Sequence, residues 1–197
     1  RKETIEALMA ERDFDADIEI REPKTEEEND CKNRYAEVYW QQRKRRGVTY
    51  YAAQRLMRER NYFAALMVNQ GDADGLISGY SNNYPTVLKP MLELIGLADG
   101  VSRAATTNIM MTKRGPMFLS DTSINVDPDS KTLAKIAQMT SQVIKMFGMT
   151  PVMAMVSYSN FGSSDNDRAS KIREAVAYLH RHYPDLLVDG ELQTDFA

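Results

Sequence analysis

Apolar residues recur along this chain with two different periods, and their succession predicts helices and strands in turn. Over residues 2–12, Ile5, Leu8 and Met9 fall at helical spacing, whereas Ile18 and Ile20 alternate with Asp17 and Glu19 as a short strand does. Thr25-Glu26-Glu27-Glu28 matches a capping box, which predicts a helix through Tyr35, Val38 and Tyr39 that ends at Gly47. Thr49 suits the cap of the next helix, through Leu56 to about Arg60. The apolar run 62–68 reads as a buried helix closed by Gly71, and Gly75-Leu76-Ile77-Ser78 as a strand entering a site beside Asp72 and Asp74. Gly71, Gly75 and Gly79 free the backbone for positive φ or for close approach to a ligand, and they equally suit an ordinary α/β turn.

The second half of the chain is patterned more clearly. Asp127-Pro128 places a capping residue before proline at the first helical position, and Leu133, Ile136, Ala137, Thr140, Ile144 and Phe147 then share one face until Gly148. The run 151–157 is nearly all apolar, which predicts a strand covered on both faces. A polar loop over 158–167 follows, then a helix marked by Ile172, Val176 and Leu179, then a strand at Leu186-Leu187-Val188. Strand, helix and strand in alternation imply an α/β fold with largely parallel sheets and crossover helices. Ligands in such sheets collect at the carboxyl ends of strands, so the loops after Ile77, Leu119 and Val156 are expected to share one cleft.

Composition narrows the function classes. A chain of 197 residues that is 43% hydrophobic buries a sizeable core, and a net charge of −3 argues against nucleic acid as a partner. No apolar run reaches the roughly 18 residues that a membrane-spanning helix needs. Cys31 is the single cysteine, so no intramolecular disulfide forms and a reducing cytoplasm is the expected location. The chain starts at Arg1 without an initiator methionine and stops at Ala197 just after a turn, as an excised piece of a longer protein does. Zinc-ligand spacing, a P-loop, the GxGxxG fingerprint and a Ser-His-Asp order are absent from the sequence. His180 and His182 are two apart, do not share a helix face and suit a helix end better than a metal. The methionines lie mostly in apolar runs, as core filler.

Two segments carry candidate chemistry. The loop 157–164, Ser-Tyr-Ser-Asn-Phe-Gly-Ser-Ser, lies between a strand and a helix whose free amides favour an anion; the same serines equally suit a helix cap without a ligand. Arg43-Lys44-Arg45-Arg46 sits near a helix C-terminus, where the helix dipole alone favours cations, yet an arginine fork also fits phosphate.

Ordered blocks extend the reading. Residues 71–78, Leu88-Lys89-Pro90, Phe118-Leu119-Ser120-Asp121, the segment 156–163 and Asp189-Gly190-Glu191-Leu192-Gln193-Thr194-Asp195 occur in the order of the phosphate acetyltransferase (phosphotransacetylase) family. Nearly the whole chain resembles that family, and in particular the phosphotransacetylase-like domain fused to the C-terminus of bacterial NADP-dependent malic enzymes. The resemblance implies two α/β/α lobes, as in isocitrate and isopropylmalate dehydrogenases, with an inter-lobe cleft; residues 1–98 and 99–197 are the expected lobes, each incomplete. It implies an arginine for coenzyme A at Arg43, and Lys89 where active transferases carry a second functional arginine. The expected ligand set, for an acyl-CoA or phosphate, is Arg43, Lys89, Ser120, Asp121, Ser159, Asn160, Gly162 and Ser163. Transferases commonly show Ser-Thr-Lys-Gly-Ser where this chain has Ser159-Asn160-Phe161-Gly162-Ser163, and their catalytic serine, arginine and aspartate lie beyond Ala197. By this resemblance the fragment is an acetyl-CoA-sensing, homo-oligomerising domain without catalysis, cofactor or metal of its own. NADP and a divalent metal belong to an expected upstream malic-enzyme domain. An active phosphate acetyltransferase and a structural dimerisation domain are the alternatives.

Overall fold

The computed structural model describes residues 1–80 and 82–197, and the chain divides into two compact units, Arg1–Asp99 and Gly100–Ala197. It is an α/β protein with small sheets, one an antiparallel hairpin and one a parallel pair. No helix among the described residues is long and apolar enough to cross a membrane.

The first unit is helical: α1 (Lys2–Glu11), α2 (Asn29–Arg43), a 3-10 turn (Lys44–Arg46), α3 (Tyr50–Leu56), α4 (Arg60–Asn69) and α5 (Tyr84–Pro90), which runs into a wide π turn (Met91–Ile95). Aromatic side chains make its core: Tyr35, Ala36 and Tyr39 of α2 face Tyr62, Phe63 and Leu66 of α4, together with Met57 and Leu94. Tyr35 meets Phe63 edge-on at 5.2 Å between ring centroids, and Tyr39 meets Tyr62 at 5.6 Å, separations that favour such pairs. Thr49 caps α3 as its position predicts, accepting from the amide of Ala52 at 3.1 Å, and α3 stops at Leu56, short of Arg60.

Three expectations fail in this unit. Ile18 and Ile20 lie in an irregular segment because no neighbouring strand offers them a ladder. Thr25 bonds back to the carbonyl of Glu22 through both its amide and its hydroxyl, closing a turn, so α2 begins at Asn29 and not at the capping box. Residues 75–78 form no strand.

The second unit contains β1 (Thr107–Thr112), β2 (Gly115–Ser120), α6 (Ser130–Met146), β3 (Val152–Val156), α7 (Asp167–His182) and β4 (Leu187–Leu192). β1 and β2 form a hairpin, so the strand bearing Leu119 is antiparallel to its neighbour, whereas β3, α7 and β4 make the expected parallel βαβ unit. The core is the α6–α7 contact, where Ala134 and Ala137 allow close approach to Ala175 and Leu179 over Val188 of β4. The cap of α6 is Asp129, which accepts from Thr132 at 2.7 Å, two residues later than Asp127-Pro128 predicts. β3 is not covered on both faces: Met153 and Met155 pack against the core while Val152 and Val156 are exposed.

Candidate functional site

The serine loop is organised by a carboxylate that the sequence reading did not single out. Register between β3 and β4 runs Met155 opposite Gly190 and then Val156 opposite Leu192, so Glu191 is an extra residue in the ladder. Bulges of this kind re-aim a side chain, and here Glu191 turns into the loop with no exposed surface. Its Oε1 accepts the hydroxyl of Ser159 at 2.6 Å, the amide of Gly162 at 3.1 Å and Nη1 of Arg173 at 2.9 Å, and its Oε2 accepts the same Nη1 at 3.1 Å. Burial pushes this carboxyl toward its neutral form, but the Ser159 hydroxyl, the Gly162 amide and the Arg173 charge outweigh burial and hold it below the usual glutamate value. Arg173 also ties the loop end to α7, donating to the carbonyl of Ser164 at 3.1 Å and to the hydroxyl of Ser170 at 2.8 Å.

Within this frame the loop satisfies itself. Ser159 is 1% exposed; it donates to Glu191, accepts the Ser164 amide at 3.1 Å and lies 3.0 Å from the Ser163 hydroxyl. Since the proton of Ser159 points at Glu191, Ser163 donates to Ser159 and accepts the Asn160 amide at 3.0 Å. Asn160 holds Gln193 from both ends of its amide, accepting from the backbone at 2.6 Å and donating to the side chain at 2.8 Å. The remaining amides follow: Ser159 to Ser157 Oγ, Phe161 to the carbonyl of Glu191, and Ser163 to the carbonyl of Asn160. Every amide from Ser159 to Ser164 therefore donates inside the protein. The amides of the loop itself are thus already bonded, and the free amides that the sequence predicts are those of the helix that follows it. The following helix starts at Asp167, capped by Asn166.

Phe161 stands where the resemblance expects the transferase lysine. It is exposed, has φ of 42° and meets Phe196 edge-on at 6.4 Å. Asp121, at the end of β2, is likewise left-handed at φ 58°, a conformation costly for any residue with a side chain, and its carboxylate accepts from Asn125 at 3.0 Å. Beside it, Thr140 donates to the carbonyl of Ile136, so it accepts from Ser120 at 2.6 Å, and Ser120 in turn accepts from Thr107 at 2.9 Å. The donor of Ser120 is thereby committed to α6.

In the first unit the expected cations are Arg43 and Lys89. Arg43 ends α2 with its side chain only 11% exposed; its Nη2 lies 3.3 Å from Oε1 of Glu93, and its buried Nε has no hydrogen-bond partner among the described residues. Glu93 also accepts the hydroxyls of Tyr39 and Tyr62, at 3.1 and 2.9 Å. Lys89 is exposed in the last turn of α5. The Gly-rich segment does border a space: an open cavity of about 570 Å³ is lined by Arg60, Asn61, Leu76, Ile77, Ser78 and Tyr80. Asp72, which the sequence places beside a site, is instead bound to Arg34 and Tyr35 of α2. His180 bonds the carbonyl of Val188 and His182 that of Tyr178, and among the described residues no group of His, Cys, Asp and Glu is arranged to hold a metal.

Comparison with known proteins matches residues 1–197 to the family model described as phosphate acetyl/butaryl transferase. The chain is 38% identical over 164 residues to an NADP-dependent malic enzyme of Salmonella typhimurium, an alignment covering 83% of this chain and 22% of that protein. It is 33% identical over 198 residues to a phosphate acetyltransferase of Synechocystis, covering 99% of this chain and 28% of that one. Among solved structures, a phosphotransacetylase from Streptococcus pyogenes superposes with a TM-score of 0.77 at 31% identity, over 99% of this chain and 59% of that one. The chain thus spans less than a third of the length of either curated relative.

Proposed function

Because the chain belongs to the phosphate acetyl/butaryl transferase family, we propose that it is the phosphotransacetylase-like regulatory domain of an NADP-dependent malic enzyme, binding acetyl-CoA as an effector and mediating homo-oligomerisation. Oxidative decarboxylation of malate to pyruvate, with its NADP and divalent metal, belongs in this reading to a preceding domain. Arg43 is the contact for a coenzyme A phosphate, with Lys89 as a second cation. Ser120, Asp121, Ser159, Asn160, Gly162 and Ser163 line or shape the ligand site.

The observation that carries the reading is Phe161, exposed at the loop position where the family resemblance expects lysine. Acyl transfer to phosphate develops charge on phosphoryl and thioester oxygens, and an aromatic ring supplies no cation to stabilise it. With Asn160 committed to Gln193, the loop offers no replacement. This supports a reading of binding without transfer. A bound effector changes activity elsewhere only by preferring one of two domain arrangements, which is the role proposed for acetyl-CoA. The second reading, an active phosphate acetyltransferase, is favoured by the similarity over 99% of the chain to a protein of that name.

Calorimetry on the full-length protein tests the binding half of the proposal. Acetyl-CoA is expected to bind saturably, and Arg43→Ala to weaken it by about 1.5–3 kcal/mol, the value of a charge-assisted hydrogen bond. Absence of binding, or an affinity unchanged by the substitution, contradicts it.

A further inference from the structure

Glu93 reaches Arg43 through a local irregularity in the helix that carries Lys89. Pro90 supplies no amide, and beyond it the chain widens so that the amide of Gly96 bonds the carbonyl of Met91 at 3.0 Å, five residues back. Wide turns of this sort are frequent at functional positions. This one carries Glu93 between α2 and α4, where Oε2 accepts Tyr39 from one helix at 3.1 Å and Tyr62 from the other at 2.9 Å. Oε1 is left for Nη2 of Arg43 at 3.3 Å. The tyrosines fix the carboxylate independently of Arg43, and the carboxylate compensates a guanidinium that has little access to water. Nη2 is the nitrogen of that guanidinium that approaches Glu93, and the buried Nε has no partner among the described residues.

We infer that Glu93 is the positioning residue of Arg43: clamped by Tyr39 and Tyr62, it holds the guanidinium at the end of α2 with donors left for a ligand phosphate. This rests on the reading of Arg43 as an acyl-CoA contact and adds the device that prepares it. A long cationic side chain free in water loses rotamer freedom when it binds; one already held in place loses less, so affinity gains from preorganisation. Glu93 does not touch the ligand and acts through Arg43.

The test is a double-mutant cycle on the full-length protein, with acetyl-CoA binding measured by calorimetry and thermal unfolding measured alongside. Glu93→Gln keeps the shape and an acceptor for the tyrosines while removing the charge, and is expected to weaken acetyl-CoA by about tenfold. In the Arg43→Ala background the same change is expected to have no further effect, because the residue through which Glu93 acts is gone. If Glu93→Gln does not fold, Tyr62→Phe, which removes one clamp, is expected to weaken binding only when Arg43 is present. Wild-type affinity or tighter binding in the folded variants overturns the inference, as does an equal loss with and without Arg43. Failure of the wild type to bind, or indifference to Arg43→Ala, overturns the ligand reading and this inference with it; Arg43-dependent binding that ignores Glu93 overturns this inference alone.

Discussion

At residue scale the second unit turns on Glu191, a carboxylate without exposed surface whose partners are the Ser159 hydroxyl, the Gly162 amide and Arg173. Removing it leaves Arg173 with only the exposed Asp165, at 3.7 Å, as a charge partner and the loop without its anchor, so Glu191→Ala is expected to cost on the order of 3 kcal/mol in denaturant unfolding. The pH dependence has a definite sign. The folded carboxyl is held below its ordinary value, so its contribution is complete above about pH 4.3 and is lost as pH falls through the folded value. Glu191→Gln is therefore expected to unfold with a shallower pH dependence than the wild type below that point; identical slopes contradict the assignment. In the first unit, burial and then the neighbouring Glu93 raise the pKa of Tyr39 and Tyr62 above that of a free phenol. Ultraviolet titration of Glu93→Gln is expected to bring both tyrosines back toward the ordinary value, and an unchanged titration contradicts the geometry of the clamp. Neither carboxylate was legible as a site residue from the sequence. Glu191 follows Gly190 in a strand and Glu93 interrupts the run Met91-Leu92-Glu93-Leu94-Ile95. A carboxylate set in an apolar run was the available signal, but only a bulge and a π turn, set by tertiary contacts, aim them inward.

Elements with long periodic patterns were legible, and so were the short strands β3 and β4 from their apolar runs, whereas short runs that find no partner were not. α6 keeps most of the predicted face, with Ile136, Ala137, Thr140 and Ile144 buried, but Phe147 lies past its last turn and is exposed; α7 buries Val176 and Leu179 as spaced. The alternation at Ile18 and Ile20 and the run at 75–78 had to be decided by partners that local sequence does not reveal, and no strand pairs with either. Helix starts slipped by two or three residues: Asp129 caps in place of Asp127, and a turn closed by Thr25 moves the start of α2 to Asn29. Two substitutions test what holds the βαβ unit. Gly190 has φ of 146°, and a Cβ there would meet the carbonyl oxygen of Met155 at 2.6 Å. Gly190→Ala is therefore expected to destabilise the unit by about 2 kcal/mol or more, read by denaturant midpoint, and a neutral result contradicts the β3–β4 register. Asn166 caps α7 through the amide of Arg168 at 2.9 Å, and Asn166→Ala is expected to cost about 1 kcal/mol.

For the whole molecule, ordered sequence blocks carried the family further than any single motif carried the chemistry. The serine loop resembles the family's in its order of residues, yet its amides, its serine hydroxyls and Asn160 bond within the protein, a property of three-dimensional closure by Glu191 and Gln193 that spacing cannot convey. The proposal pairs Arg43, the expected coenzyme A cation, with the exposed Phe161 in place of the expected lysine. That combination is the basis for proposing recognition of acetyl-CoA without transfer of its acetyl group. The most direct test is thiol release from saturating acetyl-CoA in the presence of phosphate, measured on the full-length protein. The account predicts no release above the uncatalysed background, whereas phosphate-dependent turnover in the ordinary enzyme range of about 1–10³ s⁻¹ would contradict it.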